Sequence, residues 1–330
     1  MALDLSAQRR KGKKDEEPRT QVLEPLPDPP DSVVAEAAKL SFQISPLSAK
    51  GLLSQQLRDA IKALLHDSHG ATLVKLRALV AGSGDLRRVQ AIVSEEFSDR
   101  KLALPAVSTI QVGALPMVGA QVVLEATAIE KKVINPNGIA FLSTTGANGA
   151  SEAIESLRRQ SSGLEVLRVT CFLSSLDDLP SIRSAVGTAF PAAMTNFVQS
   201  QRQAIEPRSH CDGAGRIQPG FLPEPNRNVA AVTSARIVMT GTKLVFRDQD
   251  ADVRLTFQRL AKSLESHGAT MKDVFWVEAF SLTRPMDDKI AALRGEFLDG
   301  TRPPPGLSLI VEGLPSTDAT AAIELIATVR

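Results

Sequence analysis

Apolar residues recur along this chain in blocks that predict alternating strands and helices. Val74–Phe97 matches Leu167–Phe190 without a gap, and each block begins as an apolar strand, passes a turn ending in Asp-Leu and enters an amphipathic helix. A third copy covers Phe275–Phe297 and is one residue shorter at the turn. Repetition of this kind predicts three related folding units.

A further strand and helix precede each copy of the repeat. The apolar stripe is clearest in the first helix, where it consists of Leu53, Leu57, Ile61, Leu64 and Leu65. The predicted strands are Leu40–Ile44, Ile139–Ser143 and Arg236–Thr240, and the predicted helices are Leu52–Leu65, Ser151–Gln160 and Asp252–Ser266. The middle helix is the shortest, so the second unit is abbreviated.

A proline opens a predicted strand pair after each copy, and an acidic residue follows at a nearly constant distance. The separations are 20 residues from Pro105 to Glu125, 21 from Pro191 to Asp212 and 20 from Pro304 to Glu324. Together with the repeat, this spacing predicts modules over 36–132, 133–224 and 225–330.

The segment 1–35 combines a basic run, an acidic triplet and a proline-rich stretch from Glu24 to Asp31. Such a composition buries too little apolar surface to offset its chain entropy, so we predict a disordered arm. The alternative is that the basic run contacts phosphate groups.

Composition narrows the function. The 38 Lys and Arg nearly balance the 37 Asp and Glu, and only 4% of residues are aromatic, so we expect no nucleic-acid partner. No apolar run reaches the ~18–20 residues of a membrane span, and the N-terminus lacks a signal-peptide pattern. Cys171 and Cys211 have no CxxC spacing, which indicates neither a disulfide framework nor a zinc ribbon. We predict a cytoplasmic protein without metal or cofactor.

Short motifs mark the third and the first module. The third module has VMTG at Val238–Gly241, HGATMKDV at His267–Val274 and AIELIA ending at Ala327. The first has GALP at Gly113–Pro116 and LEATA at Leu124–Ala128. These motifs resemble those of the Rid superfamily, whose members are also called YjgF-type or RidA-like, and each module is similar to that family over nearly its whole length.

This resemblance implies an α/β (α+β) fold of the Rid and chorismate-mutase-like type, a mixed sheet with two helices on one face. Family members associate as trimers through their sheets, so three modules in one chain imply an intramolecular pseudo-trimer that is monomeric in solution. Family active sites lie in the clefts between units and hydrolyse enamines or imines to 2-keto acids and ammonia. The family also carries an endoribonuclease (L-PSP) label, which is a distant alternative here.

Hydrolysis of a 2-imino acid needs a fixed cation for the substrate carboxylate and a carboxylate that positions water. The resemblance assigns the second role, as catalytic acids, to Glu125, Asp212 and Glu324, and it places Gly241 in the ligand site. The position of the family's clamping arginine holds no charge in any module, being Val107, Ala193 and Gly306.

Two arginines near the second module, Arg202 and Arg216, are candidates for the missing cation, although surface arginines are the plainer interpretation. His210 and Asp212 lie two residues apart on a predicted strand, so they share a face and form a possible titratable pair. Two hypotheses follow: an imine hydrolase acting on a small molecule in the inter-module clefts, or a non-catalytic pseudo-trimer that is structural or binds a metabolite there.

Overall fold

The computed structural model describes residues 25–82, 84–200, 208–224 and 226–329, and this part of the chain has a mixed α/β fold. A short strand, β1 (Ser32–Glu36), comes first. The first sheet has the order β2-β5-β3-β4 and carries two helices. Its elements are β2 (Leu40–Ile44), α1 (Leu53–Asp67), β3 (Thr72–Ala81), α2 (Arg87–Asp99), β4 (Ala106–Val112) and β5 (Val122–Ile129).

Two more sheets follow along the chain. The second has the order β10-β6-β9-β7-β8 and comprises β6 (Ile139–Ser143), α3 (Ala150–Gln160), β7 (Leu164–Leu173), α4 (Leu179–Ala189), β8 (Met194–Gln199), β9 (His210–Ile217) and β10 (Val229–Val232). The third has the order β1-β11-β15-β13-β14, with β12 also paired to β15, and comprises β11 (Arg236–Thr240), β12 (Lys243–Phe246), α5 (Asp250–Glu265), β13 (Val274–Ser281), α6 (Arg284–Leu293), β14 (Gly306–Ile310) and β15 (Ala319–Thr328).

The same pairing recurs in each sheet. The strand that opens the repeat, β3, β7 or β13, pairs in parallel with the next strand, β4, β8 or β14, and antiparallel with β5, β9 or β15. The predicted strands β2, β6 and β11 have the bounds given by the sequence pattern. The helices differ from the predicted bounds by one or two residues at their ends, where side-chain periodicity does not fix the boundary.

The segment in front of each sheet's first strand lies against a different sheet. β1 precedes the first sheet but pairs with β11 of the third, and β10 precedes the third but pairs with β6 of the second. In front of β6, the backbone N–H groups of Ile134 and Asn135 both donate to the carbonyl of Ala38, beside β2. The last residues of the predicted arm therefore form strand, whereas residues 1–24 lie outside the described part of the chain.

Apolar side chains form five buried clusters. Three lie between one sheet and its own two helices, and two draw on all three sheets. One shared cluster contains Leu79, Phe172 and Phe280, which occupy the same position of the repeat. The other contains Phe42, Phe141 and Trp276, with the Phe141 and Trp276 rings 5.8 Å apart. The inner faces of the sheets thus pack on one another.

Strand alternation explains which side chains meet. In β3, Leu76 and Ala78 face the helices, so Lys75, Arg77 and Leu79 face the other two sheets. The corresponding inner residues are Arg168, Thr170 and Phe172 on β7, and Trp276, Glu278 and Phe280 on β13. A polar layer consequently lies between the two shared apolar clusters.

The two cysteines correct a sequence expectation. Cys171 on β7 lies directly opposite Cys211 on β9, and the two form a disulfide that is buried beneath α3 and α4. Cysteine spacing gave no sign of this bond because the partners are 40 residues apart and meet only through strand register.

Candidate functional site

The three acids predicted to be catalytic all lie in the polar layer between the sheets. Their strands hold them at one register position, since Glu125 pairs with Arg77, Asp212 with Thr170 and Glu324 with Glu278. Sequence spacing therefore identified equivalent positions. The acids are only 3%, 0% and 4% exposed, in chain order, so each depends on protein groups for its hydrogen bonds.

Glu324 of the third sheet is bound by residues of the first sheet. Its Oε2 forms an ion pair with Lys75 and accepts a hydrogen bond from the Ser108 hydroxyl. Lys75 also donates to Ser108 Oγ at 2.6 Å and to the Thr240 carbonyl. Burial alone would raise the pKa of Glu324, but Lys75, Glu278 and Arg77 together outweigh it, and the pKa is held below the ordinary range.

Glu125 of the first sheet is bound mainly by residues of the second sheet. Its Oε1 accepts hydrogen bonds from the Thr170 hydroxyl and from Asn196 Nδ2 at 2.8 Å, and its Oε2 lies 3.3 Å from Arg168 Nη1. Burial opposes ionisation, but Arg168 and Arg77 together lower the pKa of Glu125. This carboxylate is fully engaged.

Asp212 lies between two arginines. Its Oδ2 accepts from Arg168 Nη2 at 2.8 Å and is 3.6 Å from Arg77 Nη1, while its Oδ1 has no hydrogen-bond donor among the described residues. Burial outweighs both guanidinium groups, and the pKa of Asp212 is raised.

A fourth carboxyl group, Glu278, completes the layer. Arg77 Nη2 donates to both of its oxygens at 2.8 Å, and the Trp276 indole donates to Oε1 at 3.0 Å. Burial raises the pKa of Glu278 to about 8, with neighbouring Glu324 adding to the effect and Arg77 opposing it. Within the described residues, the layer holds three cations, Lys75, Arg77 and Arg168, against these four carboxyl groups.

A cavity of about 40 Å³ lies beside this layer. Its lining comes from all three sheets and includes Lys75, Arg77, Arg168, Glu278 and Glu324 together with apolar groups such as Trp276. One water needs ~10–15 Å³ of such space, and an engineered cavity that binds benzene has ~150 Å³. The space therefore holds a few waters and is smaller than the benzene-binding cavity.

The position of the family's clamping arginine is closed in two of the sheets. Val107 is buried in the apolar cluster under α1 and α2, and its carbonyl would lie 3.1 Å from a Cβ on Gly241. A Cβ on Gly306 would lie 1.7 Å from the carbonyl oxygen of Val277. Val107 and Gly241 therefore meet through closely packed backbone.

The clamp position of the second module was assigned wrongly to Ala193. Val107 pairs with Leu76, and the repeat counterpart of Leu76 is Val169, which pairs with Thr195. Thr195, two residues after Ala193, is therefore the counterpart of Val107, because β8 begins only after a turn that includes Ala193. The corrected position still carries no charge.

The other candidate cations do not reach the layer. Arg216 on β9 binds Asn135 at 3.1 Å and forms an ion pair with Glu165 at 2.5 Å. Arg202 lies outside the described residues. His210 does share the inner face with Asp212, but burial lowers its pKa to about 4, so the imidazole is neutral at physiological pH.

The described residues contain no group of three or more His, Cys, Asp or Glu side chains arranged to hold a metal ion. Among the helices described, none is long and apolar enough to cross a membrane.

Several solved structures that are similar to about a third of this chain carry YjgF or RidA names. A YjgF-family member from Mycobacterium tuberculosis is 20% identical, covering 31% of this chain and 85% of its own, with a TM-score of 0.27. A YjgF-family protein from Neisseria meningitidis is 12% identical, covering 34% of this chain and 92% of its own, with a TM-score of 0.27. RidA from an Antarctic Psychrobacter is 18% identical, covering 28% of this chain and 80% of its own, with a TM-score of 0.26. No family model and no curated protein matches the chain.

Proposed function

We propose that the chain is a single-chain pseudo-trimer of three Rid-like modules, 36–132, 133–224 and 225–330, whose recurring acids hold the modules together instead of hydrolysing imines. The protein is then a structural relative of the enamine and imine deaminases. We place it in the cytoplasm and expect it to be monomeric.

The observation that carries this proposal is that each of the three acids is buried and paired with a cation of the protein. A catalytic carboxylate must face both a water molecule and the electrophilic carbon of its substrate. Glu125 and Glu324 instead face cations and hydroxyl groups of a neighbouring sheet, and Asp212 faces two guanidinium groups.

The cations of the layer do not replace the clamp. Arg77 and Arg168 each contact buried carboxylates, and Lys75 contacts Glu324, so binding of a substrate carboxylate would have to break an existing buried pair. Breaking such a pair costs ~3–5 kcal/mol, more than one charge-assisted hydrogen bond of ~1.5–3 kcal/mol returns. The 40 Å³ cavity also disfavours a metabolite-binding role for this region.

The test is an imine-decay assay with 2-iminobutanoate generated freshly by a dehydratase, with an active Rid deaminase as the positive control. We expect the wild-type protein to match the no-enzyme rate. We also expect Glu125→Gln and Glu324→Gln to lower the urea midpoint without changing that rate.

An acceleration well above the no-enzyme rate that either substitution abolishes would overturn the proposal. Light scattering should give the mass of one chain. A trimer of chains would contradict the single-chain arrangement.

A further inference from the structure

The polar layer has an unbalanced set of charges. Its three cations and four carboxyl groups come from six strands of the three sheets, and apolar clusters lie on either side. Full ionisation would leave one uncompensated negative charge in a buried place, which is strongly unfavourable. Protonation of one of the four carboxyl groups restores neutrality.

The geometry shows where one proton would be held. Glu278 and Glu324 lie directly opposite each other on β13 and β15, so their side chains are neighbours on the inner face of the sheet, and both are buried. Glu324 Oε1 has no hydrogen-bond partner among the described residues. A carboxylate only accepts hydrogen bonds whereas a protonated carboxyl group donates one, so a proton on Glu278 would supply this buried oxygen with a donor.

We propose that the layer binds one proton between Glu278 and Glu324, and that its release in alkaline solution weakens the packing of the three sheets on one another. This inference rests on the structural role proposed above for the acids. The groups that face the pair or complete the layer are Lys75 and Arg77 on β3, Glu125 on β5, Arg168 on β7 and Asp212 on β9.

The direction of the pH effect follows from linkage. The pKa of Glu278 is raised from 4.5 to about 8 on folding, so the native state keeps a proton that the unfolded chain releases. The stabilisation is fully present below pH 4.5 and is lost as the pH rises to about 8. His210, whose pKa is lowered to about 4, acts in the opposite direction between pH 4 and 6.5, so a comparison with a variant is needed to remove its contribution.

The first measurement is infrared spectroscopy of the wild-type protein. We expect the carbonyl band of a buried protonated carboxyl group at about pH 6, lost with a midpoint near pH 8, and absent in Glu278→Gln. Asp287→Asn is the control, because Asp287 is a carboxyl group outside the layer whose pKa burial also raises. The titrating band must survive in that variant. A wild-type protein without such a band would refute the proposal even if the variant failed to fold.

The second measurement is urea unfolding of wild type and Glu278→Gln across pH. Gln keeps the shape of the protonated acid but does not titrate, so the ratio of the wild-type to the variant unfolding constant should rise about tenfold per pH unit between about pH 5 and 8. Glu155→Gln, at an exposed pair with Arg158, should leave the wild-type pH dependence unchanged.

A ratio independent of pH would overturn the proposal. Neither measurement depends on imine hydrolysis, so failure here and failure of the proposed function are distinguishable.

Discussion

Replacing Arg168 with Met removes one cation from the polar layer while keeping most of the side-chain length. Arg168 is buried, donates to Asp212 at 2.8 Å and Glu125 at 3.3 Å, and packs its guanidinium 5.6 Å from the centre of the Phe42 ring. In Arg168→Met, Arg77 is the one guanidinium among the described residues that remains near both acids, 3.6 Å from Asp212 and 3.7 Å from Glu125.

The expected cost follows from the buried charges left behind. Removing one partner of a buried ion pair costs ~3–5 kcal/mol, because the remaining carboxylate is neither solvated nor paired. That is a large part of the ~5–15 kcal/mol that stabilises a typical domain. With a urea m value of about 3 kcal/mol per M, the midpoint should fall by about 1–1.7 M.

The assay is equilibrium urea unfolding followed by circular dichroism. Arg158→Met is the matched control, because Arg158 forms a similarly close ion pair with Glu155 on the exposed surface of α3 and should shift the midpoint little. If the Arg168 and Arg158 variants shift the midpoint equally, the polar layer does not hold the sheets together and the reasoning fails.

Two further predictions concern the disulfide and a buried glycine. Reducing the Cys171–Cys211 disulfide, which spans 40 residues, should lower the free energy of unfolding by ~3–4.5 kcal/mol. Equal urea midpoints with and without a dithiol, once thiol titration confirms that the disulfide is reduced, would contradict this. Gly306→Ala should lower the free energy of unfolding by ~1–3 kcal/mol, because its Cβ would lie 1.7 Å from the Val277 carbonyl oxygen. Gly300→Ala, whose Cβ meets no atom within 4 Å, serves as the control. Equal urea midpoints for the two variants would show that β14 shifts freely.

Local patterns predicted the repeated elements well. The bounds of three strands and the stripe of α1 depend on side-chain periodicity, which a single segment displays by itself. The equivalence of Glu125, Asp212 and Glu324 was also correct. The distance from the proline to the equivalent position of the following strand, however, is two residues longer in the second copy than in the other two, and counting from Pro191 therefore misplaced the clamp position at Ala193.

The cations of the layer were missed. Lys75 and Arg168 occupy the same position of the repeat, and Arg77 follows two residues later, so charges on the inner face of an otherwise apolar strand were a usable signal. Their partners were not predictable from pattern. Lys75 binds Glu324, which is 249 residues away, and such a contact depends on how separate sheets associate.

The charge distribution offers a physical reason for joining the copies in one chain. One register position carries Arg77, Thr170 and Glu278 in the three sheets. Three identical chains around an axis would place three copies of one residue there, and three buried like charges without partners would repel strongly. Separate copies within one polypeptide can differ at this position, so that Arg77 binds Glu278 while Thr170 donates to Glu125. Differences among the three sheets at this position are therefore a condition for this ion layer.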